Sequence, residues 1–125
     1  MFNNKQAFVS FSVNDTRKAK EFYRQTLGLE VVEKSDELEL PLTGGGRVII
    51  YPKANHAAAT FTLLNFPVTD IEAAVEELTK RGVRMEHYDN GSYKTDEKGI
   101  FRGPGAVVAW FKDPAGNLLS VFEEK

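Results

Sequence analysis

Residues 110–123 read WFKDPAGNLLSVFE. An apolar run meets Asp113-Pro114-Ala115-Gly116-Asn117, and a second apolar run follows at once. The middle is turn chemistry: Pro114 presets φ, Gly116 supplies a positive φ, and Asn117 tolerates the left-handed region. Two strands joined by a short loop are therefore expected at 106–111 and 118–123. The last strand, Leu118-Leu119-Ser120-Val121-Phe122, raises the question of what a lone serine does inside an apolar run.

Working outward, AFVSFSV (7–13) alternates, with Val9, Phe11 and Val13 on one side and Phe8, Ser10 and Ser12 on the other. Asn14-Asp15-Thr16 offers helix caps, and TRKAKEFYRQTLG has Ala19, Phe22, Tyr23 and Leu27 at helical spacing, with Gly28 as its stop. Strand-like runs follow at 29–34, 37–42 and 47–52. Gly44-Gly45-Gly46 has no following helix and no Lys-Ser/Thr pair, so it reads as a turn and not a phosphate loop. KANHAAA (53–59) reads as a linker. TFTLLNFPV (60–68) is a strand, and the amphipathic segment IEAAVEELTKRG carries Ile71, Ala74, Val75 and Leu78 on one stripe. VRMEHY (83–88) is expected as a strand, and DNGSYKTDEKGIFRGP (89–104) as a long polar connection, either a lid or binding loop by its length or a solvated connection that carries part of a strand.

The two halves correspond. Phe11-x-Val13-x-Asp15 before the first helix matches Phe66-x-Val68-x-Asp70 before the second, at an offset of 55. Ala19 matches Ala74, and Gly28 and Gly82 close the two helices. Each half reads β-α-β-β-β, an internal repeat of one supersecondary unit.

The bulk numbers agree with an ordinary globular chain. With 125 residues it is read as one domain, module one at about 5–53 and module two at about 60–125. The formal net charge is −2 and implies no basic face, so nucleic acid is not an expected partner. The chain has no cysteine, which removes disulfides, thiolate nucleophiles and cysteine metal sites. No stretch has the apolar length of a membrane span, no signal peptide is read at the N-terminus, and a cytoplasmic protein is expected.

The sequence resembles the vicinal oxygen chelate superfamily, which contains glyoxalase I, bleomycin resistance proteins and extradiol dioxygenases. The residues that carry the resemblance are Phe11 to Asp15, Glu21 to Leu29, Phe66-Pro67-Val68-Thr69-Asp70, and Asp113 to Asn117. The resemblance implies an α+β fold of two βαβββ modules whose curved mixed sheets form a cup, with the helices outside. It also implies a homodimer. In the second module it places Leu64, Phe66 and Val68 under the helix, and Phe61, Leu63 and Asn65 toward the cup.

Most enzymes of that family hold one divalent metal in the cup, and such Lewis-acid chemistry needs about three protein ligands with open positions. The family's ligand positions correspond here to Phe8, Leu63 and Ser120, and on the fourth strand to one of Ile49, Ile50 and Tyr51, none of them an imidazole or a carboxylate. The resemblance therefore implies a protein with no metal and no cofactor, binding a small aromatic or drug-like molecule. The expected walls are Phe8, Phe61, Trp110 and Phe122, with Tyr51 and Tyr93 nearby, and Leu63 in the empty metal position. Ser10, Ser12, Asn65 and Ser120 are the expected hydrogen-bonding groups, and Lys94 or Arg102 in the polar stretch is a candidate for an anionic ligand. The alternative is a lyase or dioxygenase with non-standard or no metal ligands, using Glu39, His87 or Tyr93 as acid or base. His56 and His87 are otherwise read as surface or hydrogen-bonded side chains.

Overall fold

The computed structural model describes residues 1–2 and 6–124. The outer bounds expected for the modules, Lys5 and Lys125, lie outside the described residues. The chain divides into two compact units, Met1–Ala58 and Ala59–Lys125.

The first unit contains β1 (Val9–Val13), α1 (Thr16–Glu21), β2 (Val32–Lys34), β3 (Glu37–Pro41) and β4 (Arg47–Pro52). Its sheet runs in the order β1-β4-β3-β2, with β1 parallel to β4 and the other pairs antiparallel. The second unit repeats the plan with β5 (Thr62–Pro67), α2 (Ile71–Lys80), β6 (Ile100–Arg102), β7 (Ala106–Lys112) and β8 (Leu118–Glu124). Its order is β5-β8-β7-β6, again with one parallel pair, β5 with β8. Two mixed four-stranded sheets, each with one connecting helix, make the α+β architecture expected from the repeat.

The repeat extends to the caps. Asp15 accepts from the backbone N–H of Arg17 (3.0 Å) and Lys18 (3.2 Å), and Asp70 from that of Ala73 (3.2 Å). Both caps have extended backbones, with φ of −149° and −142°. Such side-chain acceptors satisfy the donors that a helix start leaves open, each worth about 1 kcal/mol. In α2 a second carboxylate helps: Glu123 of β8 accepts from Ile71 N–H at 2.9 Å. Ile71, Val75 and Leu78 of α2 are buried, a gross apolar gain of roughly 5–9 kcal/mol for three such side chains.

Three expectations need correction. The first helix does not stay α-helical: Phe22–Thr26 is a π-helical turn, with Leu27 N–H bonded to Phe22 O at 2.9 Å. The extra residue turns Tyr23 fully inward against Phe11, at 6.3 Å between ring centroids, and frees Arg24 to donate to Val31 O at 2.6 Å. Val9 is 51% exposed, whereas Phe11 and Val13 are buried as expected. β1 is an edge strand and α1 packs over β3 and β4, so the first residue of β1 has no cover.

The third correction concerns the second strand of module two. VRMEHY makes one isolated bridge, Met85 to Phe111, and the strand itself is Ile100–Arg102 inside the polar stretch. β6 takes the β7 edge at Val107 to Ala109, while Glu86 N–H takes the carbonyl of Trp110 at 2.8 Å. The two segments share one strand edge, so neither is long.

The turn at 113–117 is a compact polar knot. Asp113 and Asn117 are 4% and 1% exposed, and the Asp113 carboxylate accepts from Ala115 N–H (3.0 Å), Asn117 N–H (2.9 Å) and Asn117 Nδ2 (3.1 Å). Asn117 Oδ1 in turn accepts from Ala59 N–H at 3.3 Å, tying the start of the second unit to the β7–β8 turn.

Candidate functional site

The β7–β8 register sets the site. Trp110 pairs with Ser120, Val108 with Phe122 and Lys112 with Leu118, so these side chains share one sheet face. On the far side of β8, Asn65 pairs with Ser120. The Ser120 hydroxyl, fully buried, donates to Asn65 Oδ1 at 2.6 Å. A serine inside an apolar strand is thus satisfied by a cross-strand partner, which answers what Ser120 does in the fold.

A bulge in β5 changes what stands beside Trp110. Thr62 pairs with Leu118 and Leu64 with Leu119, leaving Leu63 as an extra residue. Strict alternation from Phe61 through Asn65 therefore fails at Leu63. Thr62 reaches the face instead, and its Oγ1 accepts the Trp110 indole N–H at 3.2 Å.

The segment after α2 supplies the remaining walls. The Glu86–Trp110 backbone bond leads the chain to Tyr88, whose ring stands at 86° to Trp110 with centroids 5.5 Å apart. Tyr88 N–H donates to Thr95 Oγ1 and Thr95 N–H to Tyr88 O, both at 2.9 Å, closing a small hairpin. Its tip is a turn in which Tyr93 N–H donates to Asn90 Oδ1 at 3.3 Å. Tyr93 then stands at 88° to Trp110, centroids 6.1 Å apart, with Phe101 behind it at 5.2 Å. Burial, and secondarily the charge of Glu86, raise the Tyr88 phenol above its ordinary range, so it is neutral at any physiological pH.

Together Thr60, Phe61, Thr62, Tyr88, Asn90, Tyr93, Trp110 and Leu118 line a pocket of about 270 Å³. Of the expected residues it gathers Phe61, Tyr93 and Trp110. Asn65, Ser120 and Phe122 lie on the same sheet face outside its lining. Arg102 lies elsewhere: it pairs with Val107 on the helix side, bound to Asp96 (2.6 Å) and Glu72 of α2 (3.4 Å). Thr60, Thr62, Tyr88, Asn90 and Leu118 were not expected. The Asn90-Gly91 turn signal is the one cue that a hairpin presents Tyr88 and Tyr93 together.

The residues expected from the first unit share a face there. Ser10 pairs with Ile49 and Ser12 with Tyr51. Ser12 Oγ lies 2.6 Å from His56 Nδ1, and the Arg47 guanidinium sits 4.3 Å above the Phe8 ring. Glu39 bonds Lys34 at 2.9 Å and Arg47 at 3.5 Å. Lys34, with help from Arg47 and against partial desolvation, lowers the Glu39 carboxyl below its ordinary range. Neither His56 nor Arg47 was expected on this face.

At the positions where the resemblance puts metal ligands, the chain offers a phenyl ring stacked under Arg47, an isobutyl group on a bulge and a hydroxyl bonded to Asn65. These groups do not fit a divalent ion. Among the described residues, no three His, Cys, Asp or Glu side chains gather around a common point. A larger groove of about 530 Å³ runs along α2, between Val75, Thr79, Met85 and Lys98. It contains no aromatic wall beyond the His87 imidazole, which is held at 3.1 Å by Glu97 O. Among the described residues no helix is long and apolar enough to cross a membrane.

Comparison with known proteins follows the same lines. Uncharacterized protein YraH of Bacillus subtilis (strain 168) is 26% identical over 126 residues, covering 89% of this chain and 91% of that one. The genomically encoded fosfomycin resistance protein FosX of Listeria monocytogenes has a TM-score of 0.71 at 16% identity, covering 100% of this chain and 96% of that one. TnmS3, an antibiotic binding protein from Streptomyces sp. CB03234, has a TM-score of 0.67 at 22% identity, covering 95% and 96%. At such identities the two structures show a shared fold. The family model for the Glyoxalase/Bleomycin resistance protein/Dioxygenase superfamily matches residues 5–121, and with the duplicated βαβββ plan it establishes that the chain belongs to that superfamily.

Proposed function

We propose that this chain binds a small aromatic or drug-like molecule in the pocket of its second unit, and does so without a metal ion. The observation that carries the reading is the convergence of Trp110, Tyr88, Tyr93 and Phe61 on one concavity with only neutral polar groups, Thr60, Thr62 and Asn90, among them. Apolar walls with a few placed polar groups are what small-molecule sites need, and about 270 Å³ lies just under the roughly 300 Å³ at which their usual size range begins. Rings bring large contact area at low cost in conformational freedom. Two relatives of the same fold are described as an antibiotic binding protein and a fosfomycin resistance protein. The proposal includes a homodimer as the working form, which sedimentation velocity checks by distinguishing 14.0 kDa from twice that mass.

Trp110 is the only tryptophan, so its fluorescence reports on this pocket alone. Titration with a panel of neutral, cationic and anionic aromatic compounds is expected to quench or shift that emission for at least one class. A panel that leaves both the emission and the melting temperature unmoved overturns the reading. Stoichiometric uptake of Ni²⁺, Zn²⁺, Mn²⁺ or Fe²⁺ by the purified protein overturns its metal-free part.

A further inference from the structure

We propose that the pocket around Trp110 is an aromatic cage for an organic cation, a quaternary or methylated ammonium group. The inference rests on the reading of this pocket as a ligand site and names the ligand class.

The geometry comes first. Tyr88 and Tyr93 both stand nearly perpendicular to Trp110, at 86° and 88°, with centroids 5.5 and 6.1 Å away. Phe101 backs Tyr93 at 5.2 Å from outside the pocket lining. Trp110, Tyr88 and Tyr93 all line the same pocket, and a cation lying against a ring face meets the negative side of its quadrupole.

The charges point the same way. No pocket residue is acidic or basic: its polar members are two threonines, an asparagine and two phenols. An anion entering it meets ring faces and no countercharge. A primary ammonium sheds strong hydration and finds no carboxylate to replace it. A methylated ammonium is weakly hydrated and spreads its charge over methyl groups, so ring faces alone suffice. Among the described residues the cation seated on a ring is Arg47 over Phe8, in the other unit.

The test uses the full chain and two soluble probes of matched shape, choline and its neutral isostere 3,3-dimethylbutan-1-ol, followed through Trp110 emission. Choline is expected to bind about tenfold tighter, the difference a desolvated cation–ring contact supplies. Its affinity should hold between low and moderate NaCl. Nonspecific attraction to a chain of net charge −2 instead weakens with salt. Tyr93→Leu removes an exposed wall and is expected to abolish the preference, while Tyr93→Phe restores it. Equal binding of the two probes overturns the inference, as does a preference that survives Tyr93→Leu or disappears with salt. If neutral aromatic compounds bind and choline does not, the cation assignment fails while the pocket remains a ligand site. If neither class binds, both readings fail.

Discussion

Replacing Asp113 by alanine should destabilise the protein by about 3 kcal/mol. The carboxylate accepts on Oδ1 from Ala115 and Asn117 N–H and on Oδ2 from Asn117 Nδ2. Hydrogen bonds to a charged group contribute roughly 1.5–3 kcal/mol each, but two of these share one oxygen. Counting them as about two full bonds gives roughly 3–6 kcal/mol, and relief from desolvating a carboxylate that is 4% exposed brings the net to the lower end. Asp113→Asn separates the contributions. Its amide oxygen can still serve the two backbone donors, but its NH₂ faces the NH₂ of Asn117, whose own oxygen is held by Ala59 N–H. A loss of about 1–2 kcal/mol is expected for it. The assay is urea unfolding followed by Trp110 emission, three residues from the substitution. The slope should be unchanged and the midpoint shifted, with a fall in Tm of about 10 °C for the alanine variant. A loss under about 1 kcal/mol for Asp113→Ala, or equal losses for the two variants, would refute the claim that the carboxylate organises the turn.

Other outcomes follow from single contacts. Ser120→Ala removes the donor to Asn65, whose exposed amide water can serve, so the cost should be about 1 kcal/mol in the same urea assay. Gly82 and Gly99 both have positive φ, 89° and 87°, yet an added Cβ meets nothing within 4 Å at Gly82 and lies 3.0 Å from both Glu86 O and Met85 Cβ at Gly99. Gly82→Ala should cost about 1–2 kcal/mol and Gly99→Ala clearly more, as equilibrium unfolding of the pair will show. Asp96 titrates usefully. Its partial burial alone would raise the carboxyl, but Arg102 and the N–H groups of Ile100 and Lys98 outweigh that and hold it below the ordinary aspartate value. Its contribution is therefore present above about pH 4 and lost as the pH falls through the lower folded value. The stability gap between the natural protein and Asp96→Asn should close on acidification in that window, and a gap that widens there contradicts the sign.

Much of the architecture was legible because the signals are local. Asp113-Pro114-Ala115-Gly116-Asn117 fixes a turn through its own backbone preferences, and Asp15 and Asp70 cap helices through atoms a few residues away. The offset of 55 between those caps discloses two copies of one unit before any coordinates. Period-two alternation placed Phe11 and Val13 inside. Phe8, Leu63 and Ser120 could be named at the positions expected for metal ligands, because spacing from a cap or a turn is a property of the chain alone.

The pocket was not legible, because partners distant in sequence build it. The bulge that sets Leu63 aside and brings Thr62 to Trp110 depends on how β5 registers against β8. Nothing local in TFTLLNFPV marks it. Tyr88 lies in a run with the composition of a strand, yet β6 and the Glu86 bond divide the β7 edge between them, and the chain leaves that edge to stand a ring against Trp110. Arg102 was a candidate for the site by residue type alone, and β6 pairing turns it to Asp96 and Glu72. Ser120 shows both sides of the division. Its position three residues past Asn117 belongs to the sequence. Its burial against Asn65 was decided only when β5 and β8 paired, since a buried hydroxyl requires a partner and only the tertiary fold supplies one.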